Sequence, residues 1–226
     1  MKQMDFRAEL AMATVTAIVP IKLNNERLPG KNTKLLGKKP LISYCLKTLL
    51  TIKEIQNIYV YCNSEEIIKF LPDGITFLKR PKELDSSVTN FTQIFEMFKQ
   101  EINSDIYIYM HATSPFLTPE TIRRGLDAVL KGEYDSAFCA QTIQDYLWQD
   151  GKPLNFDPAN LPRTQDLPII FKETNGVYVF RREVFEEQHR RIGKKPYMLI
   201  VGCKESIDID SEEDFHFAEI MLNSTM

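Results

Sequence analysis

Short apolar runs alternate with helix-like patterns along most of this chain, and that alternation restricts its fold more than any other feature. The runs are rich in β-branched and aromatic residues, as buried strands are. They occupy residues 15–21, 58–62, 75–78, 106–110, 136–140, 176–180 and 197–201. Alternation of this kind predicts an α/β fold that is doubly wound, with a mostly parallel sheet and helices on both faces. Ligands of such sheets bind beyond the carboxyl ends of the strands.

The segments between the runs carry helix start signals. Pro40 precedes an apolar stripe at 41–50 and suits the first turn of a helix. A second stripe covers 91–98. Thr118 followed by Pro119 predicts the start of a third helix, with Ile122, Leu126, Val129 and Leu130 apolar.

Residues 142–175 interrupt this rhythm. The stretch contains Trp148, Gly151 and four prolines, and it is too long for a plain connection in a compact domain. It predicts an active-site cover, an excursion to a partner subunit, or both. We therefore divide the chain into an N-terminal extension, residues 1–14, and one domain, residues 15–226, that includes this excursion.

Composition excludes several classes of protein. The 28 Lys+Arg and 31 Asp+Glu give a net charge of −3, which argues against nucleic acid as the main partner. The sequence has no apolar run of membrane-spanning length, and residues 1–14 lack the apolar core of a signal peptide. Its four cysteines are far apart and are expected to be buried free thiols of a cytoplasmic protein, namely Cys45, Cys62, Cys139 and Cys203.

The loop at residues 20–32 follows the first predicted strand and carries three cations, Lys22, Arg27 and Lys31, among small polar residues. A triphosphate needs flexible backbone donors and cations aimed at the leaving group, so the loop is a candidate nucleotide site. It matches neither the Walker A spacing nor the dinucleotide glycine pattern. A solvated basic loop remains the alternative.

A second candidate cluster lies near the C-terminus. Asp208 and Asp210 alternate with two isoleucines, so an extended backbone places both carboxylates on one face. Two such carboxylates suit Mg²⁺, which completes its shell with water and phosphate oxygens. The alternative is that these acids merely favour a helix N-terminus. Ser211 and Asp214 form a capping-box pattern, which predicts a last helix extending to about residue 222.

A third cluster follows the run at 106–110. His111, Thr113 and Ser114 lie at the expected carboxyl end of that strand, where they could bind a sugar or a base. A structural histidine and an ordinary turn are the alternatives. No acidic residue is close enough in sequence to suggest a hydrolase triad.

At these clusters the sequence resembles the acylneuraminate cytidylyltransferase family, which includes the CMP-sialic acid synthetases and has the CMP-Kdo synthetases as cousins. The resemblance covers about residues 15–222. It is carried, in order, by AIVPIKLNNERLPGKNTKLLGKKPLI, LKRPKEL, HATSPFL, PRTQDLP with NGVYVF, and SIDIDSEEDFHFAE. Each stretch alone is weakly specific, whereas their order and spacing together are strongly specific.

The resemblance implies a Rossmann-like nucleotidyltransferase fold and a homodimer whose excursion reaches the neighbour's active site. It implies transfer of CMP from CTP to the anomeric hydroxyl of a 2-keto acid sugar, with release of pyrophosphate and assistance from Mg²⁺. The expected catalytic residues are Lys31, Arg27 and Asp210, and the expected metal ligands are Asp208 and Asp210. The remaining site residues fall into two groups. For the nucleotide they are Lys22, Asn24, Asn32 and Arg80, and for the sugar they are His111, Thr113, Ser114, Arg163 and Gln165.

The chain departs from the family pattern at Lys22, Asn25, Glu26 and His111, where the family carries arginine, serine, lysine and glutamine. Arg27, beside the inverted charge of Glu26, could supply the missing cation. Three alternatives stay open: a Kdo-type or other sugar nucleotidyltransferase, a metal-dependent glycosyltransferase, and a catalytically silent homologue. Pyrophosphate release with each nucleotide and a panel of acid sugars would distinguish them.

Overall fold

The fold is built on a central sheet of seven strands, seen in a computed structural model that describes residues 13–224. The strands of the chain are β1 Val15–Ile21, β2 Leu35–Leu36, β3 Lys39–Pro40, β4 Asn57–Cys62, β5 Thr76–Lys79, β6 Ile106–Met110, β7 Ser136–Ile143, β8 Trp148–Gln149, β9 Lys152–Pro153, β10 Ile170–Arg181 and β11 Pro196–Ile200. The central sheet has the order β11-β7-β10-β6-β1-β4-β5. The strand pairs β2–β3 and β8–β9 form two small separate hairpins.

The central sheet is mostly parallel, as the sequence predicts. Strand β10 is antiparallel to both of its neighbours, β6 and β7, while the other neighbouring strands are parallel. From β1 the chain crosses to β4 on one side, and β6 later pairs with β1 on the other side. Such a reversal opens a crevice between the carboxyl ends of β1 and β6, which is where doubly wound sheets bind ligands.

Residues 13–224 contain five α-helices, the last of which follows the final strand: α1 Ile42–Leu50, α2 Phe91–Glu101, α3 Pro119–Leu130, α4 Arg182–Gln188 and α5 Glu212–Asn223. The two predicted start signals at the later helices are confirmed. Thr118 accepts a hydrogen bond from the Thr121 amide, and Ser211 forms a capping box with Asp214. The prediction for Pro40 was wrong, because Pro40 lies in β3 and Leu41 is the residue that precedes α1.

The sheet is buried on both faces, and β6 shows this clearly. Its residues Ile106, Ile108 and Met110 pack into a core with the helices α1 and α3. Tyr107 and Tyr109 face the opposite side and join an aromatic core with α2 and α4. A strand covered on both faces reads as one continuous apolar run, which is why this strand was predicted at its observed boundaries.

The excursion predicted at 142–175 is more regular than its sequence indicates. Strand β7 extends to Ile143, and β10 already begins at Ile170, opposite it in register. Residues 170–175 therefore belong to the sheet, and the strand predicted from 176 begins six residues earlier. The remainder contains the β8–β9 hairpin and a short 3₁₀ turn, Thr164–Asp166. Its aromatic residues pack on one another, with the Trp148 and Phe156 ring centroids 5.5 Å apart.

Three of the four cysteines have the environment that the sequence predicts. Cys45, Cys62 and Cys139 are buried free thiols, as predicted, whereas Cys203 is exposed. The predicted extension, residues 1–14, lies almost entirely outside the described residues. Within residues 13–224, no helix combines the length and the apolar character needed to cross a membrane.

Candidate active site

A cleft of about 270 Å³ opens at the carboxyl ends of β1 and β6, where the sheet topology predicts a ligand. It brings together the three clusters that are far apart in sequence. Its lining residues are Pro20, Lys22, Asn25, Lys31, Asn32, His111, Ala112, Thr113, Asn175, Asp208 and Asp210. Seven of the predicted site residues thus share one cleft: Lys22, Lys31, Asn32, His111, Thr113, Asp208 and Asp210.

Lys31 lies at the start of a 3₁₀ turn that the preceding glycine makes possible. Gly30 has a φ of +66°, a left-handed conformation that residues with a Cβ rarely adopt. The buried Lys31 ammonium then donates to the Ile209 carbonyl oxygen at 2.9 Å and to Oδ1 of Asp210 at 2.7 Å. The phosphate-loop candidate and the C-terminal cluster are therefore held together by one cation.

Asp210 is paired with two cations. Its Oδ2 accepts a hydrogen bond from Arg27 at 2.8 Å, while its Oδ1 is held by Lys31. Partial burial acts to raise the pKa of Asp210, but the hydrogen bonds and charges of Lys31 and Arg27 outweigh it and leave the pKa below its usual value. The carboxylate is therefore ionised over the physiological pH range.

Asp208 has a different environment. Its Oδ2 lies 3.3 Å from the side-chain amide of Asn175, and its Oδ1 is buried without a hydrogen-bond partner among residues 13–224. The predicted alternation is confirmed, because Ile207 and Ile209 are buried on the core side. The Ile209 amide also donates to the Thr113 carbonyl oxygen at 2.9 Å, which attaches this segment to the end of β6.

Asn32 shapes the loop from within. Its amide nitrogen donates to the Lys22 carbonyl oxygen at 2.8 Å and lies 3.4 Å from Oδ1 of Asn25. The side chain is buried, and these bonds fold the loop at 22–25 back on the 3₁₀ turn. Asn32 therefore lines the cleft while its amide hydrogens hold the protein's own backbone.

His111 is fixed at the mouth of β6. Its backbone amide donates to the Gly176 carbonyl oxygen at 3.1 Å, and its Nε2 lies 3.4 Å from a guanidinium nitrogen of Arg191. Burial, together with the positive charge of Arg191, lowers the pKa of His111 to about 3. The imidazole is therefore neutral, which suits hydrogen bonding to a ligand better than charge pairing.

A second cleft of about 220 Å³ adjoins the first and shares Lys22, Asn25 and Lys31 with it. Its other lining residues are Glu26, Arg27 and Ser87. The predicted cation Arg27 thus lines this neighbouring space rather than the first cleft, and it meets the first cleft through Asp210. The two spaces together give room for a ligand with separate polar parts.

Asn24 and Arg80, predicted for the nucleotide, and Ser114, predicted for the sugar, do not line either cleft. Arg80 is buried and forms an ion pair with Asp85. Ser114 is buried, and its amide donates to the His111 carbonyl oxygen in a turn. Asn24 is exposed. For these residues ligand contact stays a prediction, and the structure gives Arg80 and Ser114 a local structural role.

Arg163 and Gln165 lie on the excursion and are exposed. Arg163 forms a two-point ion pair with Asp166, with nitrogen–oxygen distances of 2.7 and 3.1 Å. Neither residue lines either of the two clefts described above. A contact with the sugar in a neighbouring subunit stays a prediction.

The sequence interpretation missed Asn175, Ser87 and Arg191. Asn175 directly precedes the apolar run of β10 at the edge where that strand meets the cleft. That position was a usable signal, because polar residues bordering buried strands commonly mark sites. Ser87 and Arg191 come from loops with no such signal, and only the folded chain brings them near the cleft.

Comparison with known proteins decides the family. Residues 16–221 match the family described as cytidylyltransferase. The chain belongs to the cytidylyltransferase family. This cytidylyltransferase-family chain is 27% identical over 215 residues to N-acylneuraminate cytidylyltransferase A of Danio rerio, a match covering 91% of the chain and 50% of that protein. It therefore spans about half the length of that relative.

A bacterial relative is matched over nearly its whole length. The CMP-N,N'-diacetyllegionaminic acid synthase of Legionella pneumophila is 27% identical over 224 residues, covering 92% of this chain and 96% of that protein. Among solved structures, CMP:2-keto-3-deoxy-manno-octonic acid synthetase complexed with CTP superposes with a TM-score of 0.70. That match covers 95% of this chain and 100% of that structure at 14% identity. At this identity the likeness shows that the cytidylyltransferase-family chain shares the fold.

Proposed function

We propose that the chain transfers CMP from CTP to the anomeric hydroxyl of a 2-keto acid sugar of the nonulosonate type, releasing pyrophosphate. The single observation that carries this proposal is the cleft that joins Lys31, Asp208 and Asp210 at the β1–β6 crevice. Membership of the cytidylyltransferase family supports the nucleotide. The relatives' names, N-acylneuraminate and N,N'-diacetyllegionaminic acid, support the sugar class.

The chemistry requires positioning and charge stabilisation rather than a covalent nucleophile. The sugar hydroxyl attacks the α-phosphorus of CTP and loses its proton to water, the bond to the β-phosphate breaks, and negative charge accumulates on pyrophosphate. Lys22, Arg27 and Lys31 border the two clefts and supply positive charge for that leaving group. The lowered pKa of Asp210 makes it a weak base while both cations hold it, which assigns it an electrostatic role.

The residues present fit a magnesium ion. Asp208 lines the cleft and has one carboxylate oxygen without a hydrogen-bond partner among residues 13–224, and Asp210 lines the same cleft two positions away. No group of three or more potential metal ligands occurs among residues 13–224, so the protein offers two carboxylates and leaves the other positions to water and phosphate oxygens. When bound, Mg²⁺ would polarise the phosphate and orient the leaving group.

An assay of pyrophosphate release tests the proposal. The protein is incubated with each of the four nucleoside triphosphates, Mg²⁺ and a panel of eight- and nine-carbon 2-keto acid sugars. We expect release that depends on CTP and on a nine-carbon acid. Release only with the eight-carbon acid would favour the Kdo-type alternative, and transfer from a nucleotide sugar would favour a glycosyltransferase. Absence of release with every pair would favour a silent homologue.

We propose further that the active unit is a homodimer. The excursion and the start of β10 expose Trp148, Leu154, Leu161, Ile169 and Phe171, more apolar surface than such a segment normally leaves in water. A two-fold arrangement is the most frequent way for one chain to cover such a surface. Light scattering at micromolar concentration tests it, because the chain mass is 26.2 kDa and a dimer would have about twice that value. A mass near the chain value would contradict the proposal.

A complementation experiment tests whether the excursion completes the neighbour's site. Asp210→Ala removes a residue of the cleft, and Arg163→Ala removes a residue of the excursion. If Arg163 acts across the interface, mixing the two inactive variants restores up to one intact site per heterodimer. If it acts within its own chain, the mixture stays as inactive as its parts. Asp166→Ala serves as a control for loss of the ion pair that Arg163 makes locally.

A further inference from the structure

Arg191 lies behind the cleft wall, in the segment between α4 and β11, and its guanidinium is held on three aromatic rings. Its central carbon lies 3.5 Å from the ring centroid of Tyr178, 5.2 Å from Phe91 and 5.8 Å from Tyr109. Only 20% of the side chain is exposed. Stacking on aromatic faces is favourable for a guanidinium, and such contacts fix its orientation.

The fixed guanidinium of Arg191 determines which ring nitrogen of His111 carries the hydrogen. A guanidinium nitrogen of Arg191 lies 3.4 Å from Nε2 of His111. Arginine has only donors, so Nε2 can take part in this bond only as an acceptor. A neutral imidazole with an accepting Nε2 carries its hydrogen on Nδ1. Because Nε2 is engaged, Nδ1 is the ring nitrogen left for a ligand in the cleft that His111 lines.

A second set of contacts joins the same arginine to the carboxylate side of the cleft. Arg191 lies 3.8 Å from the carboxylate of Glu173, which accepts a hydrogen bond from the Tyr178 hydroxyl. That hydroxyl lies 3.3 Å from Oδ1 of Asn175, whose amide nitrogen is 3.3 Å from Asp208. Arg191 therefore supports two lining residues of the cleft, one directly and one through Tyr178.

We propose that Arg191 is a positioning residue for recognition of the acid sugar: it holds His111 as the Nδ1–H tautomer and so presents a hydrogen-bond donor to the cleft. A donor at this place selects a ligand with an acceptor oxygen, such as the carboxylate or carbonyl oxygen of a 2-keto acid. A hydroxyl could also accept, but an ammonium or amide nitrogen could not. The identity of the ligand rests on the proposed function, whereas the tautomer of His111 does not depend on it.

The tautomer is measured without any substrate. The chain has three histidines, so nitrogen-15 chemical shifts of the imidazoles can be assigned with a His111→Gln variant. We expect the wild-type protein to show a neutral His111 with hydrogen on Nδ1, and an Arg191→Met variant to show a mixture of tautomers. An Nε2–H or protonated His111 in the wild type would overturn the proposal without any variant, as would an unchanged tautomer in a folded Arg191→Met protein.

Kinetics then test the role in recognition. Arg191→Met should raise KM for the acid sugar about tenfold, the equivalent of about 1.4 kcal/mol, while KM for CTP stays within about twofold. Arg190→Met is the matched control, because Arg190 is exposed and bonds to Gln188. We expect that control to leave both constants unchanged. A rise in KM for CTP equal to that for the sugar would contradict a sugar-side role.

A double-mutant cycle separates positioning from packing. The side-chain amide of glutamine has a donor whatever its neighbour does, so Arg191→Met should have little effect on KM for the sugar in a His111→Gln background. The same fold-change in both backgrounds would show that Arg191 acts through packing alone and would refute the inference. If no sugar is converted by the wild type, the proposed function fails, whereas the tautomer measurement still decides the contact of Arg191 with His111.

Discussion

The Nζ atom of Lys31 lies 2.7 Å from Oδ1 of Asp210, although 179 positions separate the two residues in the chain. One belongs to the loop after the first strand and the other to the segment that enters the last helix. The pair thus joins the loop after β1 to the segment before α5 at the wall of the cleft. The two carboxylates of the C-terminal cluster are unequal, since Asp208 has an oxygen with no partner among residues 13–224, whereas both oxygens of Asp210 are paired with cations.

The two aspartates should therefore respond differently to substitution. Asp210→Ala leaves Lys31 and Arg27 without their anion, so we expect loss of thermal stability together with a fall in turnover on the order of 100-fold. Asp208→Asn removes the charge of a carboxylate with an unsatisfied buried oxygen, so turnover should fall similarly while the melting temperature is maintained or raised.

Melting curves and steady-state rates at saturating Mg²⁺ measure both effects. Glu213→Gln, which changes an exposed acid of the same segment, should alter neither. Near wild-type turnover of both aspartate variants would show that the metal assignment is wrong.

The inverted charge in the first loop gives a second prediction. Arg27 reaches Asp210 and lines the second cleft, so Arg27→Ala should lower turnover by about 10- to 100-fold through loss of charge stabilisation. Glu26→Lys adds a cation to the same cleft and should be neutral or activating. The exposed Lys38→Ala is the control for a general loss of positive charge. Equal turnover of Arg27→Ala and the wild type would show that Arg27 is not a catalytic residue and would strengthen the silent-homologue alternative.

Stability should fall as the solution is acidified from about pH 6.5. His111 has its pKa lowered to about 3 in the folded chain, from 6.5 in the unfolded chain. Below pH 6.5 the unfolded state therefore binds a proton that the folded state does not bind. The free energy of unfolding keeps falling towards pH 3, with a slope of at most about 1.4 kcal/mol per pH unit. Asp210, whose pKa is also lowered, adds a loss only below its ordinary value of 3.8.

Free energies of unfolding measured by denaturant between pH 7.5 and 4.5 test this window. His111→Gln removes the titrating group, so its curve should be flatter than that of the wild type over the range. His216→Gln, which changes an exposed imidazole, should follow the wild-type curve. A His111→Gln protein that loses stability as steeply as the wild type would contradict the assignment.

A glycine beside the cleft gives a prediction about packing. A Cβ at Gly176 would lie 2.7 Å from Cδ1 of Leu117, so Gly176→Ala should destabilise the fold by about 1–3 kcal/mol. Because the Gly176 carbonyl holds the His111 amide, KM for the sugar should rise as well. Gly202→Ala is the control, since no atom lies within 4 Å of its Cβ position, and its stability should stay within about 0.5 kcal/mol. Equal melting temperatures for the two variants would contradict the close approach.

The parts of the fold that the sequence predicts best are those whose burial is uniform. Strands β1 and β6 are covered on both sides, and their predicted boundaries are the observed ones. Helix α4 was missed because its seven residues bury only Val184 and Phe185, too few to give a helical period. The start of β10 was missed because residues 170–173 are exposed or half-buried, so they do not read as a core strand.

For the site, the sequence predicts the clusters but not the pairings. Each cluster could be found because polar residues follow a predicted strand or alternate with buried isoleucines. Which atoms meet depends on contacts across long separations, as between Arg191 and His111, which are 80 positions apart. Arg80 shows the same limit at short range, since its burial against Asp85 depends on how the turn at 82–85 folds back.

The two ion pairs of Asp210 differ in their exposure to water, so dissolved salt should weaken one more than the other. The Arg27 side chain is 73% exposed and the Lys31 side chain 11% exposed. Mobile ions therefore screen the first pair and hardly reach the second. Asp210 thus has one permanent counter-ion and one exchangeable counter-ion. An incoming polyphosphate can pair with Arg27 while Lys31 still neutralises Asp210. Rising ionic strength should therefore weaken nucleotide affinity at salt concentrations that leave the Lys31–Asp210 pair intact.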